Sequence, residues 1–397
     1  MAKKKWMKFR HKVVRNLAFL IIYPYSRIKY GINVEKFKEQ GKRPYLILFN
    51  HQTAFDQFFV GMSFRGPVYY VASEDLFSKG WISRIIKYVV APIPIKKQTT
   101  DASAVMNCIR LAREGGTIAL APEGNRTYDG KPVYINPAIA PLAKKLKLPI
   151  ALYRIEGGYG VHPRWSDVVR RGKMRSYVYK VIEPEEYKDM SNEELYSVIK
   201  EGLAVNEAKV DGEYYHKKSA EFLERVVYVC PYCDLSTFAS NGKVIKCKKC
   251  GREIEHLDNK KLDGVGFKFP FKFVGEWYDY QCDFINRLDI SQFNDSPAYT
   301  DEISFAKVNI YKNKEILNEK IKLSLFGNRI TVGDRVFDFE DVNAITILGK
   351  NKLNIYTDEA LYQIKGDKRF NGLKYMNFYY RYKNLNSEDE NGEFLGL

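Results

Sequence analysis

An α/β fold, a mostly parallel sheet covered by helices, is predicted for the first half of this chain, and three observations predict it. Strand-like runs alternate with helical stretches from about residue 44 to residue 182, the pattern of parallel strands joined by crossover helices. Two of those runs, Tyr45–Phe49 and Thr117–Ala121, are almost wholly apolar, as strands buried on both faces are. Each ends in a polar turn, and open α/β sheets bind ligands at the carboxyl ends of their strands. Beyond residue 227 the texture changes twice. Two paired-cysteine knuckles come first, then an aromatic-rich series of short strands. A small four-cysteine ribbon and a C-terminal mainly-β domain are therefore expected after the α/β domain.

The 397 residues carry 64 Lys and Arg against 48 Asp and Glu, a formal charge of +16. Such a balance points to an anionic partner: a phospholipid surface, a phosphorylated substrate or nucleic acid. Hydrophobic residues make up 45% of the chain, enough for real cores, and the length suits two or three domains. No apolar run is long enough to span a bilayer.

Residues 1–29 contain nine Lys or Arg (Lys3, Lys4, Lys5, Lys8, Arg10, Lys12, Arg15, Arg27, Lys29) and no acid. Trp6, Phe9, Val13, Leu17 and Leu20 recur at helical spacing. The segment reads as a basic amphipathic helix in a membrane interface, stopped near Pro24. A helix packed on its own domain and a signal peptide are the competing readings. No small-residue cleavage site follows the apolar part. Strands are then expected near 44–49, 67–72, 89–95, 117–121, 149–155 and 174–182, with a helix from Asp101 to Glu114 stopped by Gly115 and Gly116. Cys108 falls on the apolar face of that helix, a core position.

The stretch around which the domain is organised is Asn50-His51-Gln-Thr-Ala-Phe-Asp56. On one continuous helix, residues five apart diverge by about 140°, so a straight helix could not pair His51 with Asp56. A strand, loop and helix start could. The carboxylate would hold one ring nitrogen and leave the other to take a proton. That is a base with no nucleophile, suited to a substrate hydroxyl; the alternative is a structural histidine. A second block, Pro122-Glu123-Gly124-Asn125-Arg126-Thr127, follows the strand at 117–121. Gly124 lets backbone approach a ligand, and Arg126 offers a fork suited to phosphate. A surface ion pair between Glu123 and Arg126 is the alternative.

Together these two blocks resemble the glycerolipid acyltransferases, specifically the 1-acylglycerol-3-phosphate acyltransferase type, over about residues 30–210. The resemblance implies acyl transfer from a thioester of coenzyme A or acyl carrier protein to a lysophospholipid hydroxyl. It implies His51 as general base, Asp56 as its orienting carboxylate, and Glu123, Gly124, Asn125, Arg126 and Thr127 as the substrate block. It also places the enzyme at the cytoplasmic face of a membrane, as a peripheral or monotopic protein on an anionic surface. At Ala91-Pro-Ile-Pro-Ile-Lys96-Lys97 the family's acidic residue is missing and lysines replace its arginine. Lys96 or Lys97 would meet a phosphate as a point charge; a solvated pair is the alternative. Leu148-Pro149-Ile150 fits a late proline block lacking its second proline, Asn125 replaces a Thr or Ser, and Ala121 a Phe. These departures concern the acceptor more than the chemistry. The basic run Arg170, Arg171, Lys173, Arg175 faces either lipid headgroups or solvent.

Ser191-Asn-Glu-Glu194 is a capping box that opens a helix. A further helix, about Glu213–Val227, is expected to lead out of the acyltransferase domain, which is read as 30–226. Cys230-Pro-Tyr-Cys233 and Cys247-Lys-Lys-Cys250-Gly251 lie thirteen residues apart, the pattern of a zinc ribbon at 227–257. Four thiolates make a closed, structural site; a reduced metal-free set or a redox pair is the alternative. Zinc ribbons also occur in nucleic-acid-binding proteins. The dispersed charge and the apolar N-terminal helix make nucleic acid the less favoured partner. The β-rich segment 262–385 has seven strand-like runs between Phe305 and Ile364 and a helix near Arg369–Tyr382 with Leu373, Met376 and Tyr380 on one face. That element order is similar to a pleckstrin-homology or GRAM-like domain. Residues 386–397 are acidic and read as a disordered tail.

Overall fold

A computed structural model describes residues 5–77, 81–95, 102–309 and 314–386. Lys96, Lys97 and the tail from 387 onward lie outside these residues. The described chain forms two compact units. The first holds the residues up to Pro163 together with Val169–Tyr214; the second holds Arg164–Val168 and the residues from Tyr215 onward.

In the first unit, helix α1 (Phe9–Tyr30) leads into β1 (Ile32–Val34) and β2 (Leu46–Phe49). Then come α2 (Asp56–Ser63), β3 (Val68–Ser73), α3 (Trp81–Val89), β4 (Ile93–Ile95), α4 (Ala102–Arg113) and β5 (Thr117–Leu120). The unit ends with α5 (Ile139–Leu146), β6 (Ile150–Glu156), α6 (Gly158–Val161), β7 (Met174–Ile182), α7 (Pro184–Tyr187) and α8 (Asn192–Leu203). The seven strands form one mixed sheet in the order β1-β7-β6-β2-β5-β3-β4. The pairs are parallel except β6 with β7.

Strand β2 is central, between β6 and β5. Leu46 and Leu48 enter one core with Ile150, Leu152, Cys108, Leu111, Ala140 and Ile199. Ile47 and Phe49 point the other way, to Tyr30, Phe59, Val60, Ala151 and Tyr153. Both faces of the sheet are thus covered, which is why the strand sequences are continuously apolar. Each fully buried aliphatic side chain contributes about 1.5–3 kcal/mol.

Three expectations need correction in this unit. Helix α1 does not stop at Pro24 but continues to Tyr30. The Tyr30 ring packs against Phe55 and Phe59, and this packing offsets the lost hydrogen bond. Gly31 ends the helix at φ 59°, where a Cβ would stand 2.0 Å from the Gly172 carbonyl oxygen. The run 89–95 is not one strand: helix α3 occupies it to Val89, and only Ile93–Ile95 is extended. Trp6 is not part of the exposed apolar stripe, because it precedes the helix and its indole donates to the Ala91 carbonyl. Phe9, Val13, Leu17 and Leu20 are exposed, Phe9 to 80%. Among the described residues no helix is long and apolar enough to cross a membrane.

The second unit begins with a chain that sequence reading made a helix. Residues 215–227 instead form irregular backbone with one 3₁₀ turn at Leu223–Arg225. Phe222 sits at φ 74° and gives its amide to the Ser240 hydroxyl, which interrupts any helical ladder. A short hairpin of β8 (Val229–Cys230) and β9 (Asp234–Leu235) follows, then a four-stranded antiparallel sheet of β10 (Phe238–Asn241), β11 (Val244–Cys247), β12 (Glu253–His256) and β13 (Leu262–Gly264). After α9 (Val274–Arg287) come β14 (Tyr299–Val308), β15 (Glu315–Leu325), β16 (Arg329–Val332), β17 (Arg335–Asp338), β18 (Ala344–Leu348), β19 (Lys352–Tyr356) and β20 (Leu361–Lys365). They form a seven-stranded antiparallel sheet in the order β17-β16-β15-β14-β20-β19-β18. Helix α10 (Leu373–Leu385) buries Leu373, Met376 and Tyr380, and its positions 373–380 are buried all round.

Candidate functional site

Strands β2 and β5 are parallel neighbours with Leu46 opposite Ile118 and Leu48 opposite Leu120. Their carboxyl ends therefore open side by side, and both polar blocks leave the sheet there. Asn50 fixes the end of β2: its amide donates to the Ile155 carbonyl at 2.9 Å and accepts from the Ile155 amide at 2.8 Å. The chain then turns through Gln52–Phe55 and enters α2 at Asp56.

This turn brings His51 Nδ1 to 2.7 Å from Asp56 Oδ2. The Asp56 carboxylate is fully buried and held from several sides. It accepts from the amides of Gln52 at 2.6 Å and Thr53 at 2.9 Å, and from the Thr53 hydroxyl at 2.7 Å. A carboxylate in a helix's first turn is also favoured by the helix dipole. Because an ionised carboxylate only accepts, His51 Nδ1 bears the proton and Nε2 is left as the basic nitrogen. The His51 side chain remains 25% exposed, against 0% for Asp56. A buried anion thus steers an accessible imidazole.

The second block stands next to it. Glu123 is buried and accepts from the His51 amide at 2.7 Å. Burial pushes its carboxyl up to about 8, the Asp56 charge adds to the rise, and hydrogen bonds from the His51 and Val133 backbones oppose it. In place of the surface ion pair considered as the alternative stands a buried carboxyl that fastens one block to the other. Thr127 is buried as well. Its amide reaches the His51 carbonyl at 3.3 Å, and its hydroxyl donates to Asp129 at 2.9 Å and accepts from the Gly130 amide at 2.9 Å. Thr127 therefore helps to build the turn of the second block.

Gly124 has φ 67° and nothing within 4 Å of a Cβ placed on it. The left-handed backbone favours glycine here, and the space before it is open. The Asn125 amide closes the turn onto the Glu123 carbonyl at 2.7 Å. Arg126 is half-buried. Burial pulls its pKa down, and Asp56, Tyr128 and Tyr30 pull it back up. Burial raises the Tyr30 hydroxyl to about 12, with Asp56 and Arg126 acting on it in opposite directions. A cation, a phenol and the dyad's carboxylate therefore share one electrostatic neighbourhood. Asn50, Gln52, Thr53 and Tyr30 were not foreseen. The Asn50 and Gln52 side chains bond to backbone groups, Thr53 bonds to the Asp56 carboxylate and Tyr30 packs on distant rings; only the polar interruption after Phe49 hints at any of them.

In the second unit the four cysteines converge. The Sγ atoms of Cys230, Cys233, Cys247 and Cys250 all lie within 4.8 Å of one another. Cys230 and Cys250 are 3.8 Å apart, and Cys233 and Cys247 are 3.5 Å apart. A tetrahedral zinc with Zn–S bonds of about 2.3 Å spaces its sulfurs about 3.8 Å apart, so the donor set fits that metal. Both knuckles turn alike: Asp234 follows its cysteine at φ 63° and Gly251 follows its own at φ 76°. The Ser236 hydroxyl lies 3.1 Å from Cys247 Sγ and supports that ligand.

Known proteins agree with part of this picture. The model of the Acyltransferase family matches residues 30–155, which marks an acyltransferase domain there. The chain is 23% identical over 137 residues to the 1-acyl-sn-glycerol-3-phosphate acyltransferase of Bacillus subtilis, covering 34% of this chain and 65% of that protein. It is 23% identical over 184 residues to a chloroplastic 1-acyl-sn-glycerol-3-phosphate acyltransferase of Arabidopsis thaliana, covering 44% of this chain and 49% of that one. The chain thus spans about half to two-thirds of the length of these relatives. The structure of the 1-acyl-sn-glycerophosphate acyltransferase of Thermotoga maritima superposes with a TM-score of 0.41 at 22% identity, covering 50% of this chain and 80% of that one.

Proposed function

We propose that this protein transfers an acyl group from a thioester to the free hydroxyl of a lysophospholipid, with 1-acylglycerol 3-phosphate as acceptor and phosphatidic acid as product. One observation carries the reading: a partly exposed imidazole steered by a buried carboxylate, at the strand ends where the Glu123–Arg126 turn also opens. His51 Nε2 takes the acceptor's hydroxyl proton as the oxygen attacks the thioester carbonyl carbon. The tetrahedral intermediate expels the thiolate, which receives the proton from the imidazolium. Asp56 stabilises that imidazolium. A thiolate leaves readily, so no acyl-enzyme is required. Glu123 and Thr127 set the position of the His51 backbone, and Arg126 pairs with the acceptor's phosphate. Lys96 and Lys97 are assigned to the same anion as point charges.

Arg126→Ala is expected to raise the acceptor's KM about tenfold or more, the scale of one lost charge-assisted pair, with the donor's KM unchanged; initial rates at varied acceptor check this. A different lysolipid or a glycolipid as acceptor is the rival within the same chemistry, motivated by the missing acid and arginine near Lys96. Mass spectrometry of products from a panel of acceptors and of coenzyme A and carrier-protein donors tests the assignment. No turnover of 1-acylglycerol 3-phosphate, with turnover of another acceptor, would remove the first choice.

The substrate and product of this reaction are lipids, so the enzyme works at a membrane, and we assign it peripherally to the cytoplasmic face. The exposed Phe9, Leu17, Leu20, Ile21 and Ile28 of α1, flanked by Lys and Arg, supply the apolar and basic contacts. Leu17→Glu, Leu20→Glu and Ile21→Glu together should release the protein from anionic vesicles in a sedimentation assay while leaving its circular dichroism unchanged. Cys230, Cys233, Cys247 and Cys250 are assigned one zinc, which would hold the knuckles together and take no part in the reaction.

A further inference from the structure

The first unit holds a second opening besides the site around His51, and it is basic. A cavity of about 810 Å³ is lined by the end of α1, the start of β1, the end of β6, the start of β7 and residues 209–211. Its charged lining is Arg27, Lys173, Arg175 and Lys209 against Glu156 and Asp211. Arg175 and Glu156 neutralise each other at 2.6 Å. Among the described residues Arg27, Lys173 and Lys209 form no ion pair and no side-chain hydrogen bond. Set against the remaining carboxylate of Asp211, these three cations leave the opening with a net positive charge, which focuses positive potential into it.

The cavity wall packs beside the first polar block and is linked to the second through Glu207 and Gly130. Gly157 belongs to that wall, and its neighbour Gly158 packs so closely that a Cβ would stand 2.6 Å from Gln52. The next amide, Tyr159, donates to the Gln52 side chain at 2.9 Å, and Gln52 is one of the residues that hold Asp56. On the other side the Glu207 carboxylate accepts from the Gly157 amide at 2.8 Å, and the Glu207 amide donates to the Gly130 carbonyl at 2.8 Å. Lys209 follows Glu207 by two residues, and Gly130 closes the turn of Thr127. One layer, Gly158 and Tyr159, thus separates the basic cavity from the His51–Asp56 loop, and Glu207 with Gly130 links it to the Thr127 end of the second block.

We infer that this cavity binds the phosphate-bearing carrier of the acyl donor, the phosphorylated pantetheine arm that coenzyme A and acyl carrier protein share. The inference rests on the acyl-transfer reading above. The choice of donor over acceptor follows from reach. In 1-acylglycerol 3-phosphate the hydroxyl and the phosphate are only a few bonds apart, a spacing that Arg126 beside the dyad can serve. An anion beyond the Gly157–Tyr159 wall needs a long linker to the reacting carbon, and a pantetheine arm has one. No bond changes in the cavity; it holds the donor while its thioester reaches His51.

The test uses the full chain with Lys173→Ala and Lys209→Ala combined, which leaves the His51 site and α1 intact. Binding of free coenzyme A, of the phosphorylated carrier protein and of phosphate-free pantetheine is measured by calorimetry. In parallel, KM is measured for the matching acyl donors and for the acceptor. Expected is binding of at least one phosphorylated carrier and none of pantetheine, weakened about tenfold in the variant. The KM of that donor rises by a similar factor, while turnover of an acyl-N-acetylcysteamine, which has no phosphate, does not change. Which carrier binds tells coenzyme A from the carrier protein. Unaltered carrier affinity in the variant, or a KM change confined to the acceptor, overturns the inference. Carrier binding that depends on Lys173 and Lys209 in a wild-type protein with no acyl transfer would leave the cavity assigned and the reaction refuted.

Discussion

His51→Ala is expected to lower kcat for acyl transfer by about a hundred- to ten-thousand-fold, the usual contribution of a general base, with little change in either KM. The imidazole contributes chemistry and almost no scaffolding. Its ring is partly exposed, and the contacts that tie the loop together use backbone: the His51 amide to Glu123 and its carbonyl to the Thr127 amide. Alanine keeps both. Steady-state rates with the phosphate-bearing lysolipid, with thermal melting as a control for the fold, check this. A kcat within tenfold of wild type at an unchanged melting temperature would mean that another group takes the proton.

The second large effect concerns the ribbon. Cys247→Ser, or stripping with a strong chelator, is expected to unfold the segment 228–257 and to lower the melting temperature of the second unit. Besides the cysteines, few apolar side chains of this segment are buried, namely Tyr228, Val229, Phe238, Ile245 and Ile254, too few to order it alone. Apparent zinc-binding free energies of about 10–16 kcal/mol in small zinc modules show how much folding free energy such a site can carry. Metal analysis of the purified protein should give about one zinc per chain, as four cysteine ligands require. A metal-free protein with an unaltered melting curve would show that the four thiols are packed without an ion.

The halves of this architecture were unequally legible. Parallel strands buried on both faces declare themselves by continuous apolar runs, so β2, β5 and β6 could be read within a residue or two. The break after Phe49 and the five-residue spacing to Asp56 foretold the dyad, because only a bend could pair those side chains. What Glu123 does could not be read. Its partner is the backbone amide of a residue 72 positions away, and no side-chain pattern reports on such a bond. Helix α9 was missed for a different reason. Trp277, Tyr278, Tyr280 and Phe284 have modest helix propensity and look like strand formers. The fully buried Trp277, its indole bonded to the Val229 carbonyl at 2.8 Å, shows tertiary packing overriding that preference. The cavity beside the dyad gathers residues from position 27 to position 211, so only the assembled sheet brings its cations together.

The central claim is that His51 and Asp56 act as one unit on a lipid hydroxyl. Comparing kcat for His51→Ala, Asp56→Asn and the double variant on 1-acylglycerol 3-phosphate, in vesicles with a thioester donor, tests it most directly. If the carboxylate works only through the imidazole, the double variant falls no lower than His51→Ala alone. Losses that multiply, with the double variant slower by the product of the two single effects, would show two independent groups and contradict the dyad.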